Sequence, residues 1–182
     1  AAAGLYLNSP SGIWEYSVEG YYKRMSDYLD YRGGAKLLMN HHIETDVINT
    51  EGHAYGVELQ VKKQVGKLNG WMSYTYSRTF LRQNDKRIEK PVNNGDWYPT
   101  EYDKPHDFKF VGNYKFTHRY SMSINVDYST GRPTTIPAGQ YYDESTQSMR
   151  VYYTERNSYR IPDYFRTDIS FNIEPSHHLT LL

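Results

Sequence analysis

With seven histidines and no cysteine, this chain of 182 residues has few ways to hold a metal or make a nucleophile. The adjacent pairs His41-His42 and His177-His178 invite a metal reading. Neighbouring residues on an extended chain, however, point to opposite sides and do not converge on one ion. Metal centres favour His spaced to converge, usually beside Cys or carboxylate. His106-Asp107 fails as a catalytic pair by the same geometry, and no Gly-x-Ser-x-Gly elbow is present. No catalytic residue, metal site or cofactor is expected, and the chain is not read as an enzyme.

The other chemistry-bearing side chains lie in polar stretches. Trp97 and Tyr98 fall in one, and Tyr141, Tyr142, Tyr152, Tyr153 and Arg156 in another. Rigid aromatics give much contact area at low entropic cost, and they stack on sugars or flat ligands. Long loops folding over one another can use the same tyrosines as a small core of their own. Both uses stay open.

The elements that must position these loops are strands. From Tyr120 to Tyr128 every other residue is apolar or aromatic (Tyr120, Met122, Ile124, Val126, Tyr128), and those between (Ser121, Ser123, Asn125, Asp127) are polar. Successive side chains of a strand face opposite ways, so the segment has one oily face and one wet face. The pattern recurs near 13–25 (Trp14, Tyr16, Val18, Tyr22), 52–64 (Tyr55, Val57, Leu59, Val61) and 68–80 (Leu68, Met72, Tyr74, Tyr76). It recurs again near 105–116 (Phe108, Phe110, Tyr114, Phe116) and 163–174 (Phe165, Ile169, Phe171, Ile173), with a stub of strand at each end of the chain.

Long polar connections at 26–51, 81–104 and 131–162 alternate with tight ones at 65–67, 117–119 and 175–178. Gly33-Gly34 marks the first long loop, where Leu37-Leu38-Met39 could form a helical turn, and Leu179 to Leu182 open a further strand. In an antiparallel up-and-down wall all tight turns then fall at one rim and all long loops at the other. Outer-membrane barrels have this asymmetry, with short periplasmic turns and long extracellular loops. Tyr120 to Tyr128, tilted by about 40°, covers roughly 20 Å of an apolar band of about 25 Å. The expected fold is therefore all-β: part of an antiparallel transmembrane β-barrel wall of about six strands, short of the minimum of about eight for closure.

On such a wall Trp14, Phe116 and Tyr120 mark an aromatic girdle at the tight-turn rim. Tyr22, Tyr76, Phe108, Tyr128 and Phe165 mark the girdle at the other rim. Lys63, in line with the oily face, could snorkel to lipid headgroups. A half-buried soluble core is the competing reading of these rings. Glu58, Lys62, Lys109, Asp127, Arg166 and Asp168 fall on the polar face and would look into the lumen. There they either guide a ligand or hydrogen-bond one another and a plug surface.

Composition fits a surface where oil meets water. Hydrophobic residues are only 38%, yet aromatics reach 16% and 20 residues are Tyr, apolar along the ring and polar at the tip. Lys+Arg and Asp+Glu both total 21, so the chain carries no net charge and no footprint for nucleic acid. No stretch approaches the roughly 20 apolar residues of a membrane helix.

Several runs, taken in order, resemble the later barrel strands of TonB-dependent outer-membrane receptors, most closely the Bacteroides-like type. They are Trp14 to Lys23, Ala54 to Leu59, Gly70 to Ser77, Tyr102-Asp103-Lys104-Pro105-His106-Asp107, Asn125 to Pro133 and Tyr159 to Arg166. The resemblance spans nearly the whole chain. It implies an internal piece of the C-terminal half of a barrel of about 22 strands. It also implies an N-terminal plug and a TonB-contacting segment, neither found in this sequence, and a place in the cell outer membrane of a Gram-negative bacterium. The implied partners are outer-membrane lipid, the rest of the barrel and its plug, the TonB complex, and a small-molecule, glycan or peptide ligand. The implied function is uptake of a scarce nutrient, with oligosaccharide, iron chelate, cobalamin and peptide all open as cargo. Two alternatives are a soluble all-β ligand- or carbohydrate-binding module and an outer-membrane barrel enzyme.

Overall fold

The computed structural model describes residues 1–31, 47–83, 91–145 and 147–174. Gly33-Gly34, Leu37-Leu38-Met39, both adjacent His pairs and the strand expected from Leu179 lie outside these residues. The chain builds one antiparallel sheet from β1 (Ala2–Asn8), β2 (Trp14–Tyr31), β3 (Val47–Lys63), β4 (Leu68–Arg82) and β5 (Tyr98–Pro99). It continues through β6 (His106–Lys115) and β7 (Tyr120–Ser129). The third long connection contributes β8 (Pro133–Thr134), β9 (Pro137–Asp143), β10 (Ser148–Tyr153) and β11 (Tyr159–Arg160), and β12 (Tyr164–Ile173) completes the wall.

Strand order in the wall is β1-β2-β3-β4-β6-β7-β12, with β5 beside the upper part of β4. Each long strand thus pairs with its neighbour in sequence. Short connections join β1 to β2, β3 to β4 and β6 to β7 at one rim. Long ones join β2 to β3, β4 to β6 and β7 to β12 at the other.

Register turns separate alternations into two continuous faces. One row runs Val18, Leu59, Tyr74, Phe108, Tyr128, Phe165, and another runs Tyr16, Val61, Met72, Phe110, Val126, Thr167. Side chains directly opposite in a sheet share a face, so these rows make one apolar surface across the wall. Among the described residues the buried apolar side chains are Ile48, Leu81, Tyr98, Pro105 and Pro133, and all lie toward the long-loop end. Val18, Leu59, Met72, Ile169 and Phe171 are exposed. Met122, Ile124 and Val126 are half-exposed. The oily rows therefore do not converge on a sealed protein centre.

β6, β7 and β12 have 10 residues each. At about 3.3 Å per residue and a tilt of about 40°, such a strand covers roughly 23 Å of the membrane normal. β2 and β3, with 18 and 17 residues, are much longer and extend the wall past the apolar band at the long-loop rim. Part of the stretch expected as a loop at 26–51 is therefore wall. A bulge between Met25 and Tyr28 hides this, with Asp27 at φ 54° and its carboxylate accepting from Asn49 Nδ2 at 3.1 Å. The extra residue reverses the alternation, placing Tyr28 and Asp30 opposite Thr50 and Ile48 on the polar face.

The connection at 131–162 also has structure of its own. Its stem pairs β8 with β11, and β9 and β10 form a hairpin beyond it. The stem is tight: a Cβ on Gly131 would lie 1.7 Å from the Ile161 carbonyl oxygen. Helical structure among the described residues is one short 3-10 turn, Val92–Gly95, and no helix there is long and apolar enough to cross a membrane. That leaves crossing by strands untouched.

Candidate functional site

At the long-loop end two carboxylates hold the loops to the wall. Asp30, brought there by the bulge in β2, accepts from the Tyr98 hydroxyl at 2.9 Å and from Arg156 Nη2 at 3.0 Å. Arg156 also donates to the Tyr31 carbonyl, and its guanidinium lies 5.6 Å from the Tyr98 ring centroid. Its backbone N–H donates to Asn93 Oδ1 at 2.7 Å, tying the second long loop to the third. Next door, Asn157 Nδ2 donates to the Pro99 carbonyl at 2.8 Å. Burial, with the nearby charge and hydrogen bond of Asp30, holds the Tyr98 hydroxyl well above the ordinary tyrosine range.

The second carboxylate is Asp103, whose side chain is 0% exposed. It accepts from the Thr79 backbone N–H at 2.8 Å and from Arg78 Nε at 3.2 Å, and it pairs with Arg160. Arg160 Nη1 adds bonds to the carbonyls of Asp103 and Gly131 at 2.7 and 2.9 Å. A buried charge is tolerable only when opposite charge and donors surround it, as here. Asp103 thus fastens the end of the second long loop, the stem of the third and the upper part of β4 at one point.

The aromatic candidates part company. Trp97 and Tyr98 are neighbours on an extended segment and face opposite ways. The Tyr98 ring is buried opposite Leu81, while Trp97 lies on the apolar side, its ring 4.4 Å from that of His53 and 4.7 Å from the Arg82 guanidinium. Tyr98 and Arg156 come together at Asp30. Tyr141, Tyr142, Tyr152 and Tyr153 sit apart from them on the β9–β10 hairpin, all exposed. Register places Tyr141 opposite Arg150 and Tyr142 opposite Met149. The Asp30 and Asp103 anchors carried no periodic signal, although Asp103 lies within the run Tyr102 to Asp107.

Lower on the polar face, Lys109, Asp127 and Arg166 follow one another in a single cross-strand row. Lys62 pairs with Glu15 at 3.4 Å, Lys109 with Asp107 at 3.8 Å and Arg166 with Asp168 at 2.8 Å. Glu58 stands opposite Glu19. Small polar groups link the row below, Ser123 Oγ to Asn113 at 2.8 Å and Asn113 to Asn69 at 3.3 Å. Among the described residues no group of three or more His, Asp or Glu could hold a metal ion.

The family model described as TonB dependent receptor-like, beta-barrel matches residues 3–182. The chain belongs to the TonB-dependent receptor β-barrel family. Comparison with curated proteins and with solved structures finds no match.

In a TonB-dependent receptor barrel the tight turns lie at the periplasmic rim and the long loops outside the cell. Of the aromatic residues on the apolar face, Trp14, Phe116 and Tyr120 lie toward the first rim. Trp14 stacks with Tyr16, and Phe116 meets Tyr114 edge-on at 4.8 Å. Tyr22, Tyr76, Phe108, Tyr128 and Phe165 lie toward the second, with Phe108, Tyr128 and Phe165 consecutive in one row. Above them charged groups enter this face, with Glu51 and Arg82 joined at 2.9 Å beside Phe80 and Trp97. This is the composition expected where a strand leaves lipid for water.

Proposed function

We propose that this chain is part of the barrel wall and extracellular mouth of a TonB-dependent transporter that takes up a scarce nutrient across the outer membrane. The supporting observation is the combination of one unbroken apolar face with loop segments folded onto the opposite, polar face at its outer end. An apolar surface spread over seven strands is stable against acyl chains, while the hydrated charges on the other face suit a lumen or a plug. Glu58, Lys62, Lys109, Asp127, Arg166 and Asp168 line that lumen in this reading, and the eight aromatics named above form the girdles.

The division of labour at the mouth follows from burial. Tyr98 and Arg156 act as anchors of the mouth, because their polar groups are already engaged. Tyr141, Tyr142, Tyr152 and Tyr153 keep their rings in water and are the surface that meets cargo, with Trp97 at the lipid side of the rim. Rings with a polar tip suit oligosaccharide best among the cargo classes, since they stack on sugar faces and hydrogen-bond their hydroxyls. The TonB complex supplies the energy through the plug of the whole receptor.

Uptake of labelled oligosaccharide by cells carrying the whole receptor tests this. The expected result is uptake abolished by a protonophore and reduced at least fivefold by joint Tyr141→Ala, Tyr152→Ala and Tyr153→Ala substitution. Uptake that survives the protonophore would refute energised transport. Recovery of the chain as a compact monomer without detergent would instead support a soluble binding module.

A further inference from the structure

On the apolar face near the periplasmic rim, the wall contains a groove of about 190 Å³, bordered by Trp14, Val61, Lys63, Leu68, Met72 and Phe110. Its floor is a pair of directly opposed glycines, Gly70 and Gly112. The gap is built into the backbone. Gly70 has φ +151°, and a Cβ there would lie 2.0 Å from the Val111 carbonyl oxygen. A Cβ on Gly112 would meet the Phe110 ring at 2.8 Å. The Phe110 ring leans over Gly112, which is buried, so the open part of the slot lies over Gly70, between Met72 and Leu68.

The same register row continues from the floor to Lys63 and Trp14. The Lys63 ammonium lies 5.6 Å from the Trp14 ring centroid, and no ion pair occupies it among the described residues. Two further amines, Lys67 and Lys115, belong to the same rim, joined through the Lys115 N–H to the Lys67 carbonyl at 2.8 Å. An apolar slot offers water too few polar partners to hold it, whereas at this depth hydrocarbon chains surround the wall.

We propose that this groove is a specific site for one anionic phospholipid of the inner leaflet of the outer membrane. One acyl chain lies over Gly70, against the Phe110 ring and between Met72 and Leu68, and the phosphate is met by the Lys63 ammonium beside the Trp14 ring. Charge complementarity decides the occupant: an unpaired cation at the end of an apolar slot selects a lipid with net negative charge over a zwitterionic one of the same chains. The site rests on the receptor orientation stated above, with the 65–67 turn at the periplasmic rim.

The test uses the whole receptor in mild detergent, stripped of lipid and titrated with phosphatidylglycerol or phosphatidylcholine of identical chains, with bound lipid counted by native mass spectrometry. Wild type is expected to retain one phosphatidylglycerol, at least fivefold in preference to phosphatidylcholine. Lys63→Glu should abolish the preference, and Leu68→Trp, which fills the slot from an exposed position, should reduce retention of both lipids. Heat-modifiable gel migration checks that each variant is a folded barrel, and Lys63→Gln serves as a second charge variant if Lys63→Glu does not insert. Equal retention of the two lipids by wild type, or retention unchanged by both classes of variant, overturns the site. A Val65→Cys label is expected to react only after the outer membrane is permeabilised. Labelling on intact cells would overturn the orientation itself, and the lipid site with it.

Discussion

Arg156 and Asp30 meet at 3.0 Å although 126 positions of sequence separate them, and the contact ties the third extracellular loop to the top of β2. Both side chains are largely buried, at 15% and 18% exposure, so the pair is shielded from screening by solvent. Asp30→Ala removes the acceptor of the Tyr98 hydroxyl and the counter-charge of Arg156, which keeps only its bond to the Tyr31 carbonyl. The expected result is a coupling of about 1–3 kcal/mol between Asp30→Ala and Arg156→Ala in a double-mutant cycle. Hydrogen exchange at the Tyr98 amide and at those of residues 154–158 reads it. Strictly additive effects would show that the contact holds nothing.

Asp103 calls for a larger effect. Asp103→Asn keeps the shape and removes the charge that two guanidinium groups share. Breaking one side of a buried ion pair costs about 3–5 kcal/mol, because the remaining charge is left uncompensated. Arg160 bridges Asp103 to the Gly131 carbonyl, so the loss should spread to the stem of the third loop. Limited proteolysis of the whole receptor is expected to cut within 131–162 much faster in Asp103→Asn, with the membrane strands still protected. A cleavage pattern identical to wild type would contradict the anchor.

The Tyr98 hydroxyl gives the mouth a dependence on alkaline pH. Its folded pKa is raised, chiefly by burial and secondly by the Asp30 charge. In the open state the hydroxyl ionises near its ordinary value of about 10, whereas in the closed state it stays protonated to higher pH. Its contribution is therefore fully present below pH 10 and declines as the solution is raised from there toward the folded value. The loop-opening equilibrium, obtained from exchange rates divided by the intrinsic base-catalysed rate at each pH, should rise above pH 10 in wild type. Tyr98→Phe should exchange faster at neutral pH and lack this alkaline component, and an unchanged alkaline component would assign it to another group.

The wall could be read in the sequence where nothing interrupts the two-residue period. β7 announces itself because it keeps strict alternation over about one membrane crossing, and β6 and β12 keep most of it despite Val111-Gly112 and Thr167. The upper half of β2 could not be found that way. Ser26 and Asp27 insert the bulge, after which Leu29 and Tyr31 take over the apolar side and Asp30 crosses to the polar one. A reader of the sequence sees the pattern dissolve where the structure only changes phase. The anchors were hidden for a different reason: Arg160 and Asp103 are 57 positions apart, and no local period joins them. β5 has two residues, too few to display alternation, so the opposite directions of Trp97 and Tyr98 emerge only from its pairing with β4.

Gly131 tests how rigid the loop stem is. Its N–H donates to Asp163 Oδ1 at 2.9 Å, and Ile161 N–H donates to the Arg132 carbonyl at 3.1 Å. The Gly131 N–H, then the Tyr128 hydroxyl, holds the Asp163 carboxyl below its ordinary range. An alanine methyl at Gly131 meets backbone, which has no rotamer to yield, so the stem must open. Gly131→Ala should therefore raise proteolytic cutting at 131–162 and return the Asp163 carboxyl toward the ordinary value of about 3.9. Carboxylate NMR titration of the variant checks the second effect, and an unmoved titration would mean the stem absorbs the methyl.

The last prediction separates a lipid-facing wall from a soluble sheet by depth. Ile124 lies mid-strand on the apolar face, Asn125 beside it on the polar face, and Tyr120 on the apolar face at the rim. In a bilayer, arginine on the outer face costs about 2–4 kcal/mol at the midplane and about 0–1 kcal/mol at the interface. Ile124→Arg should accordingly destabilise the whole receptor in vesicles far more than Tyr120→Arg, and Asn125→Arg should be tolerated by a hydrated interior. In a soluble sheet the cost would follow burial, and Ile124 is only half-buried. Unfolding by denaturant from vesicles measures all three. A cost at Ile124 no greater than at Tyr120 would mean that no hydrocarbon covers this face, because the two positions share one strand and one side and differ chiefly in their distance from the rim.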